Sequence, residues 1–394
     1  MRVLFLHSRY LSGPVSGENR VVEDEVALLR DAGHEVGMFS PEPIVGSRLD
    51  RLRTAGSAIA SRTAAQRVRE AVAERSVDVV HAHNLFPTLS PAVLPAARDA
   101  GAAVVMTLHN YRLMCLPATF LRDGRICEDC LGSTTLHGVQ HACYRGSRGA
   151  SAILATSLQV HRATGTFDAV TRFLAVGEFV KRKHVEAGFD ASRIEVKANF
   201  VAAQERRSGP GERFLFLGRL APEKGLDTVL RAWARTPGEA QLDVVGSGPD
   251  EKTLRAAGAA GAAGGTDGRV RFLGQVEPER IPGLLAQARA LLVPSRWYEA
   301  APRTIVEAYA SGVPVIASDI GALPDSVEHE ISGLLVPPED EGTWAGAVAS
   351  LLDDRKSERL GDGAHRRWQQ RYSPEVGLAE LESSYRAAIE ARQG

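Results

Sequence analysis

Two carboxylates and two cationic side chains in the second half of the chain have the types and spacing needed to hold a polar, anionic ligand. Glu299 and Glu307 stand in the stretch YEAAPRTIVEA, just ahead of the apolar run VPVIAS. Arg219 and Lys224 follow another apolar run, RFLFLG, whose last residue is Gly218. A guanidinium fork and an ammonium suit the oxygens of a diphosphate, and carboxylates accept hydrogen bonds from hydroxyl pairs.

The segment RTIVEAYASG is predicted to be a helix that follows the strand ALLVPS. Pro302 is expected in its first turn, where a missing N–H costs little, and Ala301 before it is a poor N-cap. The amides of Arg303 and Thr304 would then lack a side-chain partner and could bind phosphate. The sequence therefore predicts an anion-binding helix start between the two glutamates.

These residues must be positioned by an alternation of short apolar runs and helical patterns. The runs RVLFLH, VDVVHAH and AAVVMTLH in the first half, and RFLFLG, QLDVVG and VPVIAS in the second, are each followed by a helical segment. Continuous apolar runs are typical of buried parallel strands. The sequence thus predicts an α/β protein with two doubly wound, Rossmann-like domains facing across a cleft, where the strand ends bind ligands. Residues 1–201 and 213–372 are the expected domains, and the polar stretch 202–212 the linker.

Composition and charge exclude several classes of protein. The 394 residues are 44% hydrophobic and 24% charged, which is typical of a soluble protein of about two domains. A net charge of −1 provides no basic field for nucleic acid. We find neither a signal-peptide pattern nor eighteen uncharged apolar residues in a row, so a cytoplasmic location is expected.

One arginine-rich helical region allows two interpretations. Its arginines are Arg48, Arg51, Arg53, Arg62, Arg67, Arg69 and Arg75. They form either a solvated face or a weak peripheral contact with anionic lipid, and the solvated face is favoured.

Three motifs of the second half, GRLAPEKG, YEAAPRTIVEAYASGVPVIASDIGALPD and SGLLVPPED, occur in an order and spacing that resemble one family. The chain resembles the retaining GT-B glycosyltransferases of family 4, which carry a Glu-x7-Glu signature. SGENRVVEDEVALLRDAGHEV, DVVHAHN and VVMTLHNYR in the first half resemble the same family. The resemblance implies the GT-B fold, a UDP-, GDP- or other nucleotide-diphosphate sugar as donor, and a hydroxyl on a small-molecule or lipid-linked acceptor. It also implies that the last helical stretch, 373–394, packs back on the first domain.

The resemblance also implies roles for individual residues. Arg219 and Lys224 match the pair that neutralises the donor diphosphate. Glu307 matches the glutamate on the nucleotide ribose, and Glu299 the one contacting the transferred sugar. His109, which ends the strand VVMTLH, matches the histidine lining the reaction centre.

Two positions depart from the family pattern. Gly17 matches a glycine whose backbone approaches phosphate and acceptor, but Ser16 precedes it where the family usually has a second glycine. Ala300 and Ala301 stand where relatives often have Gly-Phe or Asn-Phe. No Asp-x-Asp follows a strand end, so no catalytic metal is expected.

Functions of other classes remain alternatives to sugar transfer. A sugar-nucleotide epimerase of the same architecture would convert the donor with no acceptor present. A non-catalytic nucleotide-sugar-binding protein would bind the donor without turnover. A nicotinamide oxidoreductase is disfavoured, because VVGSGPDE supplies only two of the three glycines of Gly-x-Gly-x-x-Gly.

All the cysteines lie in one segment, residues 115–143. Cys127 and Cys130 form a Cys-x2-Cys pair flanked by Cys115 and Cys143. In a cytoplasmic protein such a set indicates a metal site more than disulfides. Four thiolates can close a tetrahedral shell around zinc, so a structural zinc is expected to order this insertion of the first domain, which would shape the acceptor pocket. The alternative is four ordinary reduced cysteines.

Overall fold

The protein is described by a computed structural model that covers residues 1–9, 17–41, 56, 59–260 and 268–393. It divides into two compact units. The first comprises Met1–Phe120, Cys127–Ala198 and Gly377–Gly394, and the second comprises Leu121–Ile126 and Asn199–Val376.

The elements of the described ranges are numbered in chain order. The strands are β1 (Arg2–Leu6), β2 (Glu35–Phe39), β3 (Val79–Ala82), β4 (Ala103–Leu108), β5 (Leu121–Arg122), β6 (Arg125–Ile126), β7 (Arg172–Ala175), β8 (Ile194–Val196), β9 (Arg213–Leu217), β10 (Leu242–Val245), β11 (Val270–Gly274), β12 (Ala288–Val293), β13 (Val315–Ser318) and β14 (Gly333–Val336). The α-helices are α1 (Gly17–Asp31), α2 (Arg62–Arg75), α3 (Val93–Asp99), α4 (Leu136–Gln140), α5 (Arg148–Ala163), α6 (Glu178–Glu186), α7 (Leu226–Trp233), α8 (Glu251–Ala260), α9 (Ile281–Ala286), α10 (Arg303–Ala310), α11 (Leu323–Ser326), α12 (Glu341–Ser350), α13 (Asp354–Arg371) and α14 (Pro374–Gln393).

Each unit is built on a six-stranded parallel sheet. The first sheet has the order β2-β1-β3-β4-β7-β8, and the second has the order β11-β10-β9-β12-β13-β14. Helices connect the strands, because a parallel pair cannot be joined by a tight turn. The predicted fold class of two doubly wound α/β domains is confirmed.

The strand order fixes where each sheet can bind a ligand. In the second sheet the chain moves outward from β9 to β11, then restarts at β12 on the other side of β9. In the first sheet the corresponding reversal lies between β1 and β3. Ligands of open parallel sheets bind outside the carboxyl ends of the strands at such reversals.

The core of the first sheet includes residues from both ends of the chain. Val3 and Phe5 of β1 pack in one buried cluster with Leu381, Tyr385 and Ala388 of α14. Helix α14 therefore contributes apolar and aromatic side chains to the first unit. Such burial is the main stabilising contribution to a core of this kind.

Helix α1 carries a carboxylate inside its buried stripe. Val22, Val26 and Leu29 are buried at helical spacing, and Glu25 lies between them with no exposed surface. A buried carboxylate needs a compensating charge. Its partner comes from a distant part of the chain, as shown below.

The cysteine-bearing segment has little regular structure. β5 and β6 form a short antiparallel hairpin, and the turn residues Asp123 and Gly124 have φ of 51° and 75°. Positive φ at both central residues is the pattern of a type I′ turn, for which Asp-Gly is a preferred sequence. The cysteines lie in the first unit, whereas the hairpin is grouped with the second.

Only part of the arginine-rich region lies within the described residues. Arg62, Arg67, Arg69 and Arg75 lie on α2 and are exposed, while the stretch holding Arg48, Arg51 and Arg53 is outside the described ranges. Lipid contact at this face stays a prediction. No helix in the described part of the chain combines the length and apolar character that crossing a bilayer requires.

His184 on α6 links the stability of the first unit to pH. Its ring is buried, and Nδ1 lies 2.8 Å from the carbonyl oxygen of Val180. Burial outweighs this hydrogen bond and lowers the pKa of His184 to about 4. The unfolded chain protonates the same ring near pH 6.5. The unfolded state therefore binds more protons between these values, and stability falls as the pH falls through that window.

We expect the wild-type chain to lose stability between pH 6.5 and pH 4.5 more steeply than the variant His184→Asn. Asparagine keeps a donor near the Nδ1 position but does not titrate. The difference in the free energy of unfolding should grow by about 1 kcal/mol for each pH unit, measured by urea titration at several pH values. Parallel stability profiles for the two proteins would contradict this assignment.

Candidate functional site

The reversal point of the second sheet brings two predicted residues into direct contact. Lys224 lies in the 3-10 turn Pro222–Lys224 that follows β9, and Glu299 lies in the loop after β12. Lys224 Nζ donates to Glu299 Oε1 at 2.7 Å. The ammonium also lies 5.2 Å from the centre of the Trp297 ring, a cation–π distance. The sequence predicted both charged residues but not their pairing.

Gly225 is the residue that allows this contact. It ends the 3-10 turn with φ 66°, and a Cβ there would lie 2.0 Å from the carbonyl oxygen of Pro294. The same approach lets the amide of Arg296 donate to the carbonyl oxygen of Glu223 at 2.9 Å. Only glycine combines this backbone conformation with the space available. The loops after β9 and β12 therefore pack backbone to backbone, and Lys224 is held beside Glu299.

Glu299 is buried yet ionised. Burial by itself would raise the pKa of its carboxyl group, but the charge of Lys224 and the hydrogen bonds from Lys224 and Ser295 outweigh burial and lower the pKa. Ser295 Oγ donates to Glu299 Oε1 at 2.7 Å. An ionised carboxylate only accepts hydrogen bonds. Glu299 can thus accept from hydroxyl groups of a ligand while its own position is fixed by the protein.

Helix α10 begins one residue later than the sequence predicted. Pro302, expected in the first turn, is the N-cap, because its ψ of 113° is extended and not helical. The predicted cap at Ala301 is therefore wrong. The start of the helix is nevertheless uncapped, as the sequence predicted, because proline has no side-chain acceptor and no other side chain caps the helix. Arg303 and Thr304 are the first two residues of α10, which places their amides where helices bind anions.

The remaining predicted residues of this sheet pair locally. Arg219 is half exposed and contacts Glu223, four residues further along the chain. Arg303 Nε donates to Glu307 Oε1 at 2.8 Å along α10. Gly218 follows β9, and its amide donates to Val245 O at 3.1 Å. A Cβ at Gly218 would make only ordinary contacts, so packing within this unit does not require a glycine there.

His109 follows β4 in the first sheet and contacts a second histidine. His109 Nε2 lies 2.7 Å from Nδ1 of His83, the residue just after β3, and the two rings stack with centres 5.0 Å apart. Burial, followed by the charges of His7 and Lys197, lowers the pKa of His109 to about 3. Its imidazole is therefore neutral at neutral pH and forms neutral hydrogen bonds.

Gly17 is the first residue of α1. It is exposed, and a Cβ added there would meet no atom within 4 Å. The role predicted for its backbone stays a prediction. The neighbouring residues 10–16 lie outside the described ranges.

Two family descriptions match consecutive parts of the chain. Residues 15–205 match Glycosyltransferase Family 4, and residues 211–354 match Glycosyl transferases group 1. The chain belongs to glycosyltransferase family 4. The predicted membership is thereby confirmed, and the boundary between the two matches falls within the predicted linker.

Several curated relatives of this family 4 protein are named for work on inositol compounds. The phosphatidyl-myo-inositol mannosyltransferase of Mycolicibacterium smegmatis is 28% identical over 83% of this chain and 78% of that protein. The D-inositol 3-phosphate glycosyltransferase of Nocardia farcinica is 35% identical over 45% of this chain. A GDP-mannose-dependent mannosyltransferase of Mycobacterium tuberculosis is 34% identical over 49% of this chain. The last two matches span only 41% and 52% of those relatives.

Solved structures share the whole fold at low identity. HepE from Anabaena, crystallised in complex with UDP, matches with a TM-score of 0.69 at 19% identity over 97% of this chain and 99% of that chain. A sucrose-phosphate synthase from Thermosynechococcus elongatus matches with a TM-score of 0.68 at 18% identity, covering 99% of each chain. These matches support the GT-B fold assigned to this family 4 protein.

The site contains residues that the sequence analysis did not identify. Ser295 and Trp297, which contact Glu299 and Lys224, stand in the loop PSRWYE directly after a strand. Their place after an apolar run was the available signal. His83 was not identified as a site residue, although HAHN, like TLHN, ends a predicted strand with a histidine.

The cysteines do not form a ready-made metal shell. Cys115 is buried, and burial raises the pKa of its thiol to about 11. Burial is the main cause that raises the pKa of the Cys130 thiol. Electrostatic repulsion from Cys143 and Cys127 raises it further. Across the described ranges, which hold every cysteine, no three of these sulfur atoms lie within 4.8 Å of one another. A zinc shell would need the sulfurs to move together, so zinc stays a prediction.

Elemental analysis of protein purified without chelator tests that prediction. If the four thiols bind zinc, the protein should hold about one zinc per chain, and Cys127→Ser should remove it. Ser133→Ala, in the same segment but without a ligand atom for zinc, is the control. Protein without zinc, whose thiols react freely in the native state, would show that the cysteines are ordinary reduced residues.

Gly225→Ala should disrupt the loop that holds Lys224. The added Cβ meets the carbonyl oxygen of Pro294 in a left-handed backbone conformation, so we expect a loss of at least about 2 kcal/mol in the free energy of unfolding. Gly238→Ala is a matched control, because a Cβ there meets no atom within 4 Å. Urea titration of both variants measures the difference. Equal stability of the two would show that the close approach at Gly225 is unimportant.

Proposed function

We propose that this chain is a retaining glycosyltransferase that moves a sugar from a nucleotide-diphosphate donor to a hydroxyl acceptor. The observation that carries the proposal is the pairing of Lys224 with Glu299 at the reversal point of the second sheet. There a fixed cation and an ionised acceptor stand together just ahead of an uncapped helix start. A diphosphate joined to a sugar presents the complementary groups, namely anionic oxygens and hydroxyls.

The donor is proposed to bind with its diphosphate near Lys224 and Arg219. The amides of Arg303 and Thr304 add donors at the positive end of α10. Glu299 accepts from hydroxyls of the transferred sugar, and Glu307, on the second turn of α10, accepts from the ribose. Because Glu307 is already held by Arg303, its carboxylate needs little reorganisation on binding.

The chemical step replaces one oxygen by another at the anomeric carbon of the sugar. The bond from the anomeric carbon to the diphosphate oxygen breaks, and a bond to the acceptor oxygen forms on the same face. The acceptor proton passes to the departing diphosphate, so the products are the glycoside and the nucleoside diphosphate. Lys224, Arg219 and the two amides stabilise the negative charge that develops on the leaving group. No catalytic metal is part of this proposal.

The names of relatives narrow the choice of substrates to be tested. A mannosyltransferase relative is named for GDP-mannose, and HepE was crystallised with UDP and with UDP-glucose. Relatives also carry phosphatidylinositol or inositol phosphate in their names. We therefore propose a UDP- or GDP-sugar donor and a polyol or lipid-linked hydroxyl acceptor.

A thermal-shift screen with UDP-, GDP-, ADP- and dTDP-sugars identifies the donor, because a ligand that binds the native state raises its apparent stability by mass action. Incubation of the stabilising donor with and without inositol-containing acceptors then separates the alternatives. Release of nucleoside diphosphate with an acceptor glycoside supports the transferase. Conversion of the donor sugar with no acceptor would indicate an epimerase, and tight binding without turnover a binding protein.

Substitutions at the site should separate binding from catalysis. Glu307→Ala should weaken donor binding about ten- to a hundredfold, the effect of losing one charge-assisted hydrogen bond. Lys224→Ala and Arg219→Ala should lower kcat by a similar factor, because their charges act most strongly on the leaving group. Donor affinity and initial rates measure the two effects.

Arg255→Ala is the matched control for Arg219→Ala. Arg255 is also about half exposed and also pairs with a glutamate four residues away, Glu251. It follows β10 and not β9, so its loss should leave both affinity and rate unchanged. If all the site variants, correctly folded, kept wild-type turnover, the assignment of this site would be wrong.

A further inference from the structure

A row of polar side chains runs from the reaction-side histidine into the interior of the first unit. His109 Nε2 contacts His83 Nδ1 at 2.7 Å. On the other side of that ring, His83 Nε2 lies 3.6 Å from Glu25 Oε2. Both His83 and Glu25 are fully or almost fully buried. His109 is thus connected through one imidazole to a carboxylate in the interior.

Glu25 obtains its compensating charge from Lys197. Lys197 Nζ contacts the other carboxylate oxygen, Oε1, and the lysine is buried as well. A buried carboxylate without such a partner would be strongly disfavoured. The ammonium occupies one face of the carboxylate, so Oε2 remains directed at the histidines. Among the described residues neither Glu25 Oε2 nor His83 Nε2 has a hydrogen-bond partner.

The same cluster has the spacing of a metal site, but its atoms are already engaged. Glu25, His81 and His83 offer ligand atoms within 4.8 Å of one another. His81, however, bonds Tyr385 through Nδ1 and Thr107 through Nε2, each at 2.8 Å. With both ring nitrogens used and an ammonium on the carboxylate, the cluster is better described as a hydrogen-bond and ion-pair network.

The field of Glu25 decides which nitrogen of His83 carries the proton. A neutral imidazole has one N–H and one lone pair. A lone pair on Nε2 would face an anionic oxygen at 3.6 Å, whereas an N–H there is attracted to it. This field favours the proton on Nε2 of His83, which leaves its Nδ1 as an acceptor. Burial, followed by the charges of His81 and His109, holds the pKa of His83 well below its usual range, in keeping with a neutral ring.

We propose that His83, oriented by Glu25, is a positioning residue that holds His109 as the Nε2–H tautomer. His109 Nε2 donates to His83 Nδ1, and the remaining nitrogen, His109 Nδ1, is an acceptor. On the proposed function, on which this step rests, His109 Nδ1 accepts a hydrogen bond from a hydroxyl of a bound substrate. His83 thus makes His109 Nδ1 a hydrogen-bond acceptor, although His83 itself does not contact the substrate.

Nitrogen NMR of the full-length chain labelled at histidine tests the tautomer without any substrate. The His109 signals are assigned by their loss in His109→Ala. In the wild type, Nε2 should carry the proton, and Nδ1 should resonate far downfield as an unprotonated nitrogen. A proton on Nδ1 of His109 would overturn the proposal directly.

Two variants of equal shape separate the hydrogen bond from packing. Asparagine at position 83 keeps an acceptor close to the place of Nδ1, whereas leucine has the same branching and no acceptor. His83→Asn should keep the Nε2–H tautomer of His109, and His83→Leu should give a mixture. The double variant Glu25→Gln with Lys197→Met removes both charges together and should weaken the preference. An unchanged His109 spectrum in both the leucine and the double variant would overturn the proposal.

Donor turnover provides a second readout once the donor is known. His83→Leu should lower kcat/KM about tenfold, the effect of one hydrogen bond of about 1.4 kcal/mol, while His83→Asn should stay within about threefold of wild type. If leucine fails to fold, the wild-type and double-variant spectra still decide the tautomer. If no donor is turned over, the proposed function fails, and the NMR result still confirms or overturns the positioning role.

Discussion

The contact between Gly225 and the carbonyl oxygen of Pro294 is the constraint on which the site of the second unit depends. The strand order of the second sheet reverses between β9 and β12, which places the loops after these strands at its ligand-binding edge. Here the absence of a side chain lets two backbones approach to a distance that no other residue permits. Lys224 precedes this glycine directly, so the backbone contact sets the distance between an ammonium and the carboxylate of Glu299.

The two units use ion pairs in different ways. The Lys224–Glu299 pair is partly exposed on its lysine side, so the ammonium can exchange part of its contact with Glu299 for a ligand phosphate. The Lys197–Glu25 pair is buried on both sides and cannot meet a ligand. On the positioning role proposed for His83, this pair acts through that ring on the tautomer of His109. A buried pair is poor evidence for stability, but it can orient neighbouring polar groups.

Much of the candidate site could be predicted from the sequence because parallel strands leave a strong pattern. Continuous apolar runs located β1, β3, β4, β9, β10, β12 and β13, and the residues after them were necessarily at the ligand-binding edge. Lys224, Glu299 and His109 were found in this way, with family motifs assigning their roles. The start of α10 was misplaced by one residue, because propensity rules allow proline both at the cap and in the first turn, and only the observed ψ of Pro302 distinguishes them.

The sequence by itself determined the two α/β domains, the family and the chemical types at the strand ends, since each depends on neighbours in the chain. The tertiary structure decided which of these groups meet. Glu25 and Lys197 are separated by 172 positions, and neither spacing nor periodicity relates them. The same is true of His83 and His109, which become neighbours because the strands that they follow, β3 and β4, lie side by side. Contacts of this kind arise from strand order and helix packing, which bring distant residues together in ways that local patterns do not record.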